Sequence, residues 1–282
     1  MAKRNNKLAK KQQEEIDFEE LKNNTEKNLN NGIKDEIKNI INKDIKIIAK
    51  NESQKELIQS IKNNEITICS GKAGTGKTFL SVGYALSLLM KQESPYKKIY
   101  LIKSVTSLPG EEIGWLKGSY KEKVEPFMWS YYINIEKLIS KLVLNQLLEK
   151  EFIQPFPLAY MRGASLDNCI MILDESQNLS ISNSRTFLTR LGENSKIIML
   201  GDTNQIDIKN KEESSLSLLI KIFKDIPNIG IVEMNDSDTN VRNPIIDIIE
   251  NKFNEYNFKN NINNGNGQKK NNYNNEKLLL ND

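Results

Sequence analysis

An α/β fold, a single P-loop domain with a parallel sheet covered by helices on both faces, is what this sequence predicts. Three observations predict it. Five short apolar runs lack the strict alternation of a half-exposed strand: "EITICS" (65–70), "KIYLIKS" (98–104), "CIMILD" (169–174), "KIIMLG" (196–201) and "IGIVEM" (229–234). Strands buried on both faces read this way. Helix-period segments fall between them, at 77–91, 118–150, 184–191 and 213–225, and strands alternating with helices imply parallel pairing. The first run leads directly into "GKAGTGKT", Gly71 to Thr78.

Composition sets the limits. The chain has 282 residues, 38% of them hydrophobic, with a net charge of +3. The polar excess lies at the ends. Residues 1–44 form a basic, polar extension read as largely disordered or helical, and 256–282 form an Asn-rich tail read as disordered, because such segments bury too little apolar surface to offset chain entropy. The domain is expected over 45–255. Lys3, Arg4, Lys7, Lys10 and Lys11 carry no acid among them. They suit a solubilising tail better than a phosphate-holding arm. Cys69 and Cys169 lie in apolar runs and read as buried free thiols of a reducing compartment. With no apolar N-terminal leader and no run long enough to span a bilayer, the expectation is a cytoplasmic protein without a membrane partner. Histidine is absent, so acid–base work falls to carboxylate, Lys, Tyr, Cys or a metal-bound water.

Taken in order, the first element with chemistry is the phosphate loop. "GKAGTGKT" satisfies G-x-x-x-x-G-K-[ST] between a strand and a helix. Gly71, Gly74 and Gly76 let the backbone N–H groups converge on a phosphate, with Lys72, Ala73, Thr75 and Phe79 in the same wrap. The following helix turns its positive end to the same place. Lys77 reaches the β and γ phosphates, and Thr78 offers a hydroxyl to Mg²⁺. An ATP–Mg²⁺ site needs a second acidic group. "CIMILDESQN" (169–178) supplies it where a buried strand runs into Asp174 and Glu175. Open parallel sheets bind ligands at that end of their strands. Asp174 is expected to hold the metal and Glu175 to orient and deprotonate the attacking water. "MLGDTNQID" (199–207) ends another strand with Asp202 and, three residues on, Gln205, an amide suited to sensing the γ phosphate. An Asx turn is the plain alternative for this segment. Upstream, "NESQKE" (51–56) reads as a capping box of Ser53 and Glu56. It places Gln54 in the first helical turn, where its amide matches the donor–acceptor edge of adenine. Trp115, Trp129, Tyr131 and Tyr132 among lysines offer a base-stacking surface, or else pack the segment onto the sheet. Arg162 either approaches a phosphate or a neighbouring subunit, or pairs with Asp167.

Together Gln54, "GKAGTGKTFL", "PLAYMRGASLDNCIMILDESQN", "FLTRLGENSK", "GDTNQID" and "VRNP" (241–244) resemble the PhoH-like ATPases. The resemblance covers about 45–255 and extends to "EEIGWLKGSYKEKVEPF" (111–127). It implies a RecA-like core related to superfamily 1 helicases, ATP hydrolysis and an association with RNA. By match it places Gln54 at the adenine, Lys77 and Thr78 in the phosphate loop, and Asp174 and Glu175 at metal and water. It places Gln205 at the γ-phosphate sensor and Arg242 at a late motif arginine. Two departures stand out: Lys103 and Ser104 occupy the place of the family's Arg-Pro, and Asn243 that of its His. The fifty or so residues ahead of the core leave no room for the nuclease domain that some relatives carry. Composition fits a phage or an AT-rich genome, and so a host cytoplasm. The implied function is an ATPase acting on single-stranded RNA (or DNA) as a helicase-type or translocase-type homo-oligomer, most simply a hexameric ring, with Arg242 completing a neighbour's site. The alternative is a slow ATPase switch that acts through a protein partner. A nucleotide kinase fits Gln54 and "GDTNQ" poorly.

Overall fold

The structure, a computed structural model, describes residues 31–104, 120–161, 163, 165–208 and 211–234, with positions 245, 248, 249 and 252 beyond. Residues to Thr239 make one compact unit and those from Asn240 a second. Arg242, Arg162, Trp115 and the basic residues 3–11 lie outside the described residues.

The described elements of the first unit begin with helix α1 (31–41). They continue as α2 (Glu52–Asn63), β1 (Ile66–Gly71), α3 (Lys77–Met90), β2 (Lys98–Lys103), α4 (Tyr120–Glu136) and α5 (Lys141–Glu149). Then follow β3 (Ile153–Pro155), β4 (Cys169–Asp174), α6 (Ile181–Leu188), β5 (Lys196–Gly201), α7 (Leu216–Ile222) and β6 (Ile229–Met234). The strands form one six-stranded sheet in the order β3-β2-β4-β5-β1-β6, and every pair in it is parallel.

All five expected strands are present. Their missing alternation has a direct cause. Along β4, Ile170 and Ile172 enter the core formed with α1 to α5, while Cys169, Met171 and Leu173 enter the core formed with α6 and α7. Both faces are covered, so both sets must be apolar. Burial pushes the Cys69 thiol up to about 12 and the Cys169 thiol up to about 11, so both stay protonated.

The sixth strand, β3, was not expected. It is three residues long, sits at the sheet edge beside β2 and ends at Pro155, a residue that only an edge tolerates. The single helix expected over 118–150 is two, because Ser140 accepts a hydrogen bond from Val143 N–H and starts α5 anew. Helix α1 falls within the extension 1–44, read as largely disordered or helical, and here it is helical. Lys34, Ile37 and Ile41 on it are buried in the domain.

Candidate nucleotide site

Strand order builds the site. β5 lies between β1 and β4, so the segments leaving three adjacent parallel strands emerge side by side at one sheet edge. They are the phosphate loop after β1, Asp174 and Glu175 at the end of β4, and Gly201 to Gln205 at the end of β5. Parallel sheets place their ligand crevice at this edge.

The phosphate loop closes on itself. Gly74 and Gly76 hold φ of 88° and 90°, a conformation that costs glycine least. Gly76 caps the N-terminus of α3, which begins at Lys77. The Lys77 ammonium donates to the carbonyls of Gly71 and Lys72, the latter at 2.9 Å. It thus lies inside the concavity, and its helix directs unpaired N–H groups to the same point.

Gln54 braces this loop from behind. Its Nε2 donates to the Thr75 carbonyl at 2.9 Å, and its Oε1 accepts from Lys50 N–H at 2.8 Å. Each partner can play only one part, so the amide orientation is fixed. The side chain is 3% exposed. The expected Ser53–Glu56 capping box is not formed. Asn51 is the N-cap, and its Oδ1 accepts from Gln54 N–H.

Thr78 Oγ1 donates to Asp174 Oδ2 at 3.0 Å, joining the two motifs across 96 residues of sequence. Asp174 is buried. Burial, and then the neighbouring Glu175 charge, push its carboxyl above the usual range, while Lys103 and the Thr78 hydroxyl pull the other way. A carboxylate held in so dry a place gains from a cation. The donors available, one hydroxyl and one carboxylate oxygen, are the hard oxygens that suit Mg²⁺ sharing phosphate ligands. No cluster of three or more His, Cys, Asp or Glu with metal-holding geometry occurs among the described residues.

Glu175 follows in a left-handed conformation, φ 57° and ψ 37°, uncommon for a residue with a side chain. Asp174 Oδ1 accepts its N–H at 3.1 Å, and Gln177 Nε2 donates to its Oε2 at 2.8 Å. At the end of β2, Ser104 N–H donates to the Asp174 carbonyl at 3.1 Å. The family-type proline at 104 would have no N–H to give.

After β5 the Asx turn is present. Asp202 accepts from Asn204 N–H at 2.9 Å, so its carboxylate anchors the loop. Gln205 N–H donates to the Asp202 carbonyl at 3.1 Å, and Gln205 is exposed on that loop. Arg190 donates Nε to the Thr186 carbonyl at 3.1 Å and Nη1 to that of Met161 at 3.5 Å.

The aromatic cluster divides. Tyr131 is fully buried, its hydroxyl shared between the carbonyls of Ile102 and Ile172 at 2.8 and 3.0 Å. It is a structural residue under the Asp174 strand. Trp129 is 69% exposed. Three contributors escaped sequence reasoning: Asn51, Gln177 and Asn178. For the last two the signal was two amides placed one serine beyond a carboxylate pair at the end of a buried strand.

A family-level comparison matches residues 46–254 to "PhoH-like protein". The chain belongs to the PhoH-like protein family. The PhoH-like protein of Bacillus subtilis (strain 168) is 37% identical over 209 residues, covering 74% of this chain and 64% of that protein. The PhoH-like protein of Synechocystis sp. is 36% identical over 198 residues, 70% of this chain and 59% of that one. Protein PhoH of Escherichia coli (strain K12) is 31% identical over 194 residues, 68% and 54%. This chain therefore spans little more than half the length of the curated relatives it matches. Among solved structures, a Sulfolobus solfataricus SWI2/SNF2 ATPase core in complex with dsDNA overlaps 66% of this chain and 43% of that chain, at TM-score 0.37 and 13% identity. The PhoH-like match begins at residue 46, so helix α1 lies ahead of the family's matched region. No helix among the described residues is long and apolar enough to cross a membrane.

Proposed function

We propose that this PhoH-like chain binds ATP with Mg²⁺ and hydrolyses it, and that it couples turnover to single-stranded RNA. The observation that carries the reading is the Thr78–Asp174 hydrogen bond, with Glu175 next in sequence and pinned on the site side of the strand end. The phosphate loop N–H groups and Lys77 bind the β and γ phosphates. Thr78 and Asp174 hold the metal. Glu175 orients a water against the γ phosphate and takes its proton, work that no histidine is present to do. Mg²⁺, when bound, neutralises charge building on the phosphate oxygens. Gln205, on the loop between the two motifs, meets the γ phosphate and registers its loss. Gln54 faces adenine only through what its two loop contacts leave free.

The nucleic-acid part rests on Trp129, exposed on α4 with Ile133 one turn further on, a platform on which a base can stack. In this reading the chain works as a homo-oligomer, a hexameric ring being the simplest form, and Arg242 supplies a cation to a neighbouring subunit's γ phosphate. It acts in the cytoplasm.

The test pairs two variants. Glu175→Gln should keep its affinity for a fluorescent ATP analogue and lose about 10²–10⁴ in turnover, while Lys77→Ala should lose affinity itself. Equal loss of binding in both would remove the division of labour. Single-stranded RNA added to the wild type should raise turnover several-fold. A flat response would favour a slow switch working through a protein partner. Native mass spectrometry with ATP–Mg²⁺ should show a closed oligomer. Mixing Arg242→Ala with Glu175→Gln should restore part of the turnover, and no recovery in confirmed mixed oligomers would place Arg242 in its own subunit's structure.

A further inference from the structure

Two segments at the sheet edge are tied together more closely than hydrolysis alone requires. The stretch after β4 is a single 3-10 turn, Ser176–Asn178, with all three residues buried. Gln177 is 1% exposed. Its Nε2 donates to Glu175 Oε2 at 2.8 Å, and its Oε1 accepts from Asp202 N–H at 3.0 Å. The orientation follows from chemistry. A backbone N–H can only donate and a carboxylate can only accept, so the amide has one way to satisfy both.

The far end of the loop is held by the next residue. Asn178 Oδ1 accepts from Asp207 N–H at 2.8 Å. Ser214 Oγ adds a bond to the Gln177 carbonyl at 2.8 Å, and Leu179 accepts from Ser215 N–H at 3.0 Å. The loop that carries Gln205 is thus pinned at Asp202 and at Asp207 to the two residues that follow Ser176. Gly201 makes room for the contact. A Cβ there would stand 2.7 Å from Gln177 Oε1 and 2.7 Å from Ser176 Oγ, distances that real Cβ atoms do not show.

We infer that Gln177 is a positioning residue: its amide sets the Glu175 carboxylate by tying it to the first residue of the loop that bears Gln205, so that a displacement of that loop is passed to the base. The inference rests on the hydrolytic reading above. The physical reason is stiffness. A buried amide bonded at both ends has no water to substitute for a lost partner. If Asp202 N–H shifts, the amide follows, and the hydrogen bond that holds Glu175 shifts or breaks. Glu175 then loses the amide donor that fixes its carboxylate oxygen. Contact between Gln205 and a nucleotide's third phosphate would in this way decide whether Glu175 is aligned.

Two substitutions separate the amide's two ends. Gln177→Glu keeps an oxygen for Asp202 N–H but turns a carboxylate oxygen on Glu175. Gln177→Leu removes both bonds at similar size. Both should bind a fluorescent ATP analogue like the wild type, because neither touches the phosphate loop. Both should lower kcat about 10–100-fold with KM little changed, the scale of a misplaced reacting group. The decisive measurement is coupling. Gln177→Leu and Gln205→Ala should be non-additive in kcat, the double variant being little slower than the slower single. Independent costs that multiply would overturn the inference, and so would wild-type kcat in Gln177→Glu. Should Gln177→Leu prove unfolded by circular dichroism, Gln177→Glu and its double variant with Gln205→Ala carry the same test. The two proposals fail differently. A wild type without ATP turnover overturns the hydrolytic reading and this inference with it. Turnover lost in Glu175→Gln yet intact in Gln177→Glu overturns this inference alone.

Discussion

Gln54 shows how much a single amide's surroundings constrain its use. Both of its polar ends are spent on backbone, at Lys50 N–H and the Thr75 carbonyl, and Gly76 approaches so closely that a Cβ there would lie 3.3 Å from Gln54 Nε2. Removing the amide leaves a buried carbonyl of the phosphate loop without its donor, a loss of about 1–3 kcal/mol. Gln54→Ala should therefore weaken ATP and GTP alike, by about tenfold for each 1.4 kcal/mol of loop support lost. Competition of the two nucleotides against a fluorescent analogue measures this. A loss confined to ATP would instead return the residue to reading adenine. Sequence spacing could place Gln54 in the first turn of α2 but could not show which way its amide faced, because that depends on a loop twenty-one residues away.

At the scale of elements, what was legible followed from periodicity and what was not followed from contact. Strands β1, β4 and β5 announced themselves because two-sided burial removes alternation. Helix α3 did so because a phosphate loop must be followed by one. β3 was hidden by being three residues long at an edge. The break between α4 and α5 was hidden because Ser140 caps α5 inside an otherwise continuous helical pattern. Within the site, Lys77, Thr78, Asp174 and Glu175 could be named from motif and strand end. The tie between the 3-10 turn and the loop after β5 could not, because it joins residues that become neighbours only when β4 and β5 pair. Gly201 marks that junction. A Cβ there would also meet Leu216 Cδ2 at 2.6 Å, so three atoms from two elements would have to move. Gly201→Ala should cost about 1–3 kcal/mol, the usual range for overpacking, read as a lower urea midpoint at unchanged m-value. A midpoint equal to wild type would show that the junction is looser than its contacts imply.

For the first compact unit as a whole, α1 is the element ahead of the phosphate-loop core, and its anchor is a lysine. Lys34 is fully buried, and its ammonium donates to the carbonyls of Leu89, at 2.8 Å, and of Tyr96. The Leu89 carbonyl belongs to the last turn of α3, where a cation meets the negative end of the helix. On the surface, Lys150 pairs with Glu36 at 2.6 Å, but an exposed pair of this kind contributes little. Burial, and then Lys97, lower the Lys34 pKa from 10.5 to about 8. The sign of the pH effect follows. Between those two values the unfolded chain keeps the proton and the folded domain releases it, so this residue's contribution to stability grows as pH rises from about 8 towards 10.5. Below pH 8 the folded domain carries the charge at the cost of burial. Lys34→Met removes the titration while filling the same space. The stability difference between wild type and Lys34→Met, from urea unfolding at a series of pH values, should therefore shift in favour of the wild type as pH rises through that window. Tyrosines and Cys69, whose pKa values burial raises, titrate in both proteins and cancel in the difference. A difference that stays flat with pH would mean that the folded domain holds Lys34 charged throughout, its two carbonyl partners outweighing desolvation. α1 would then be anchored by a buried ammonium in the full sense, and removing residues 31–45 should cost the domain more than the apolar contacts of Ile37 and Ile41 alone.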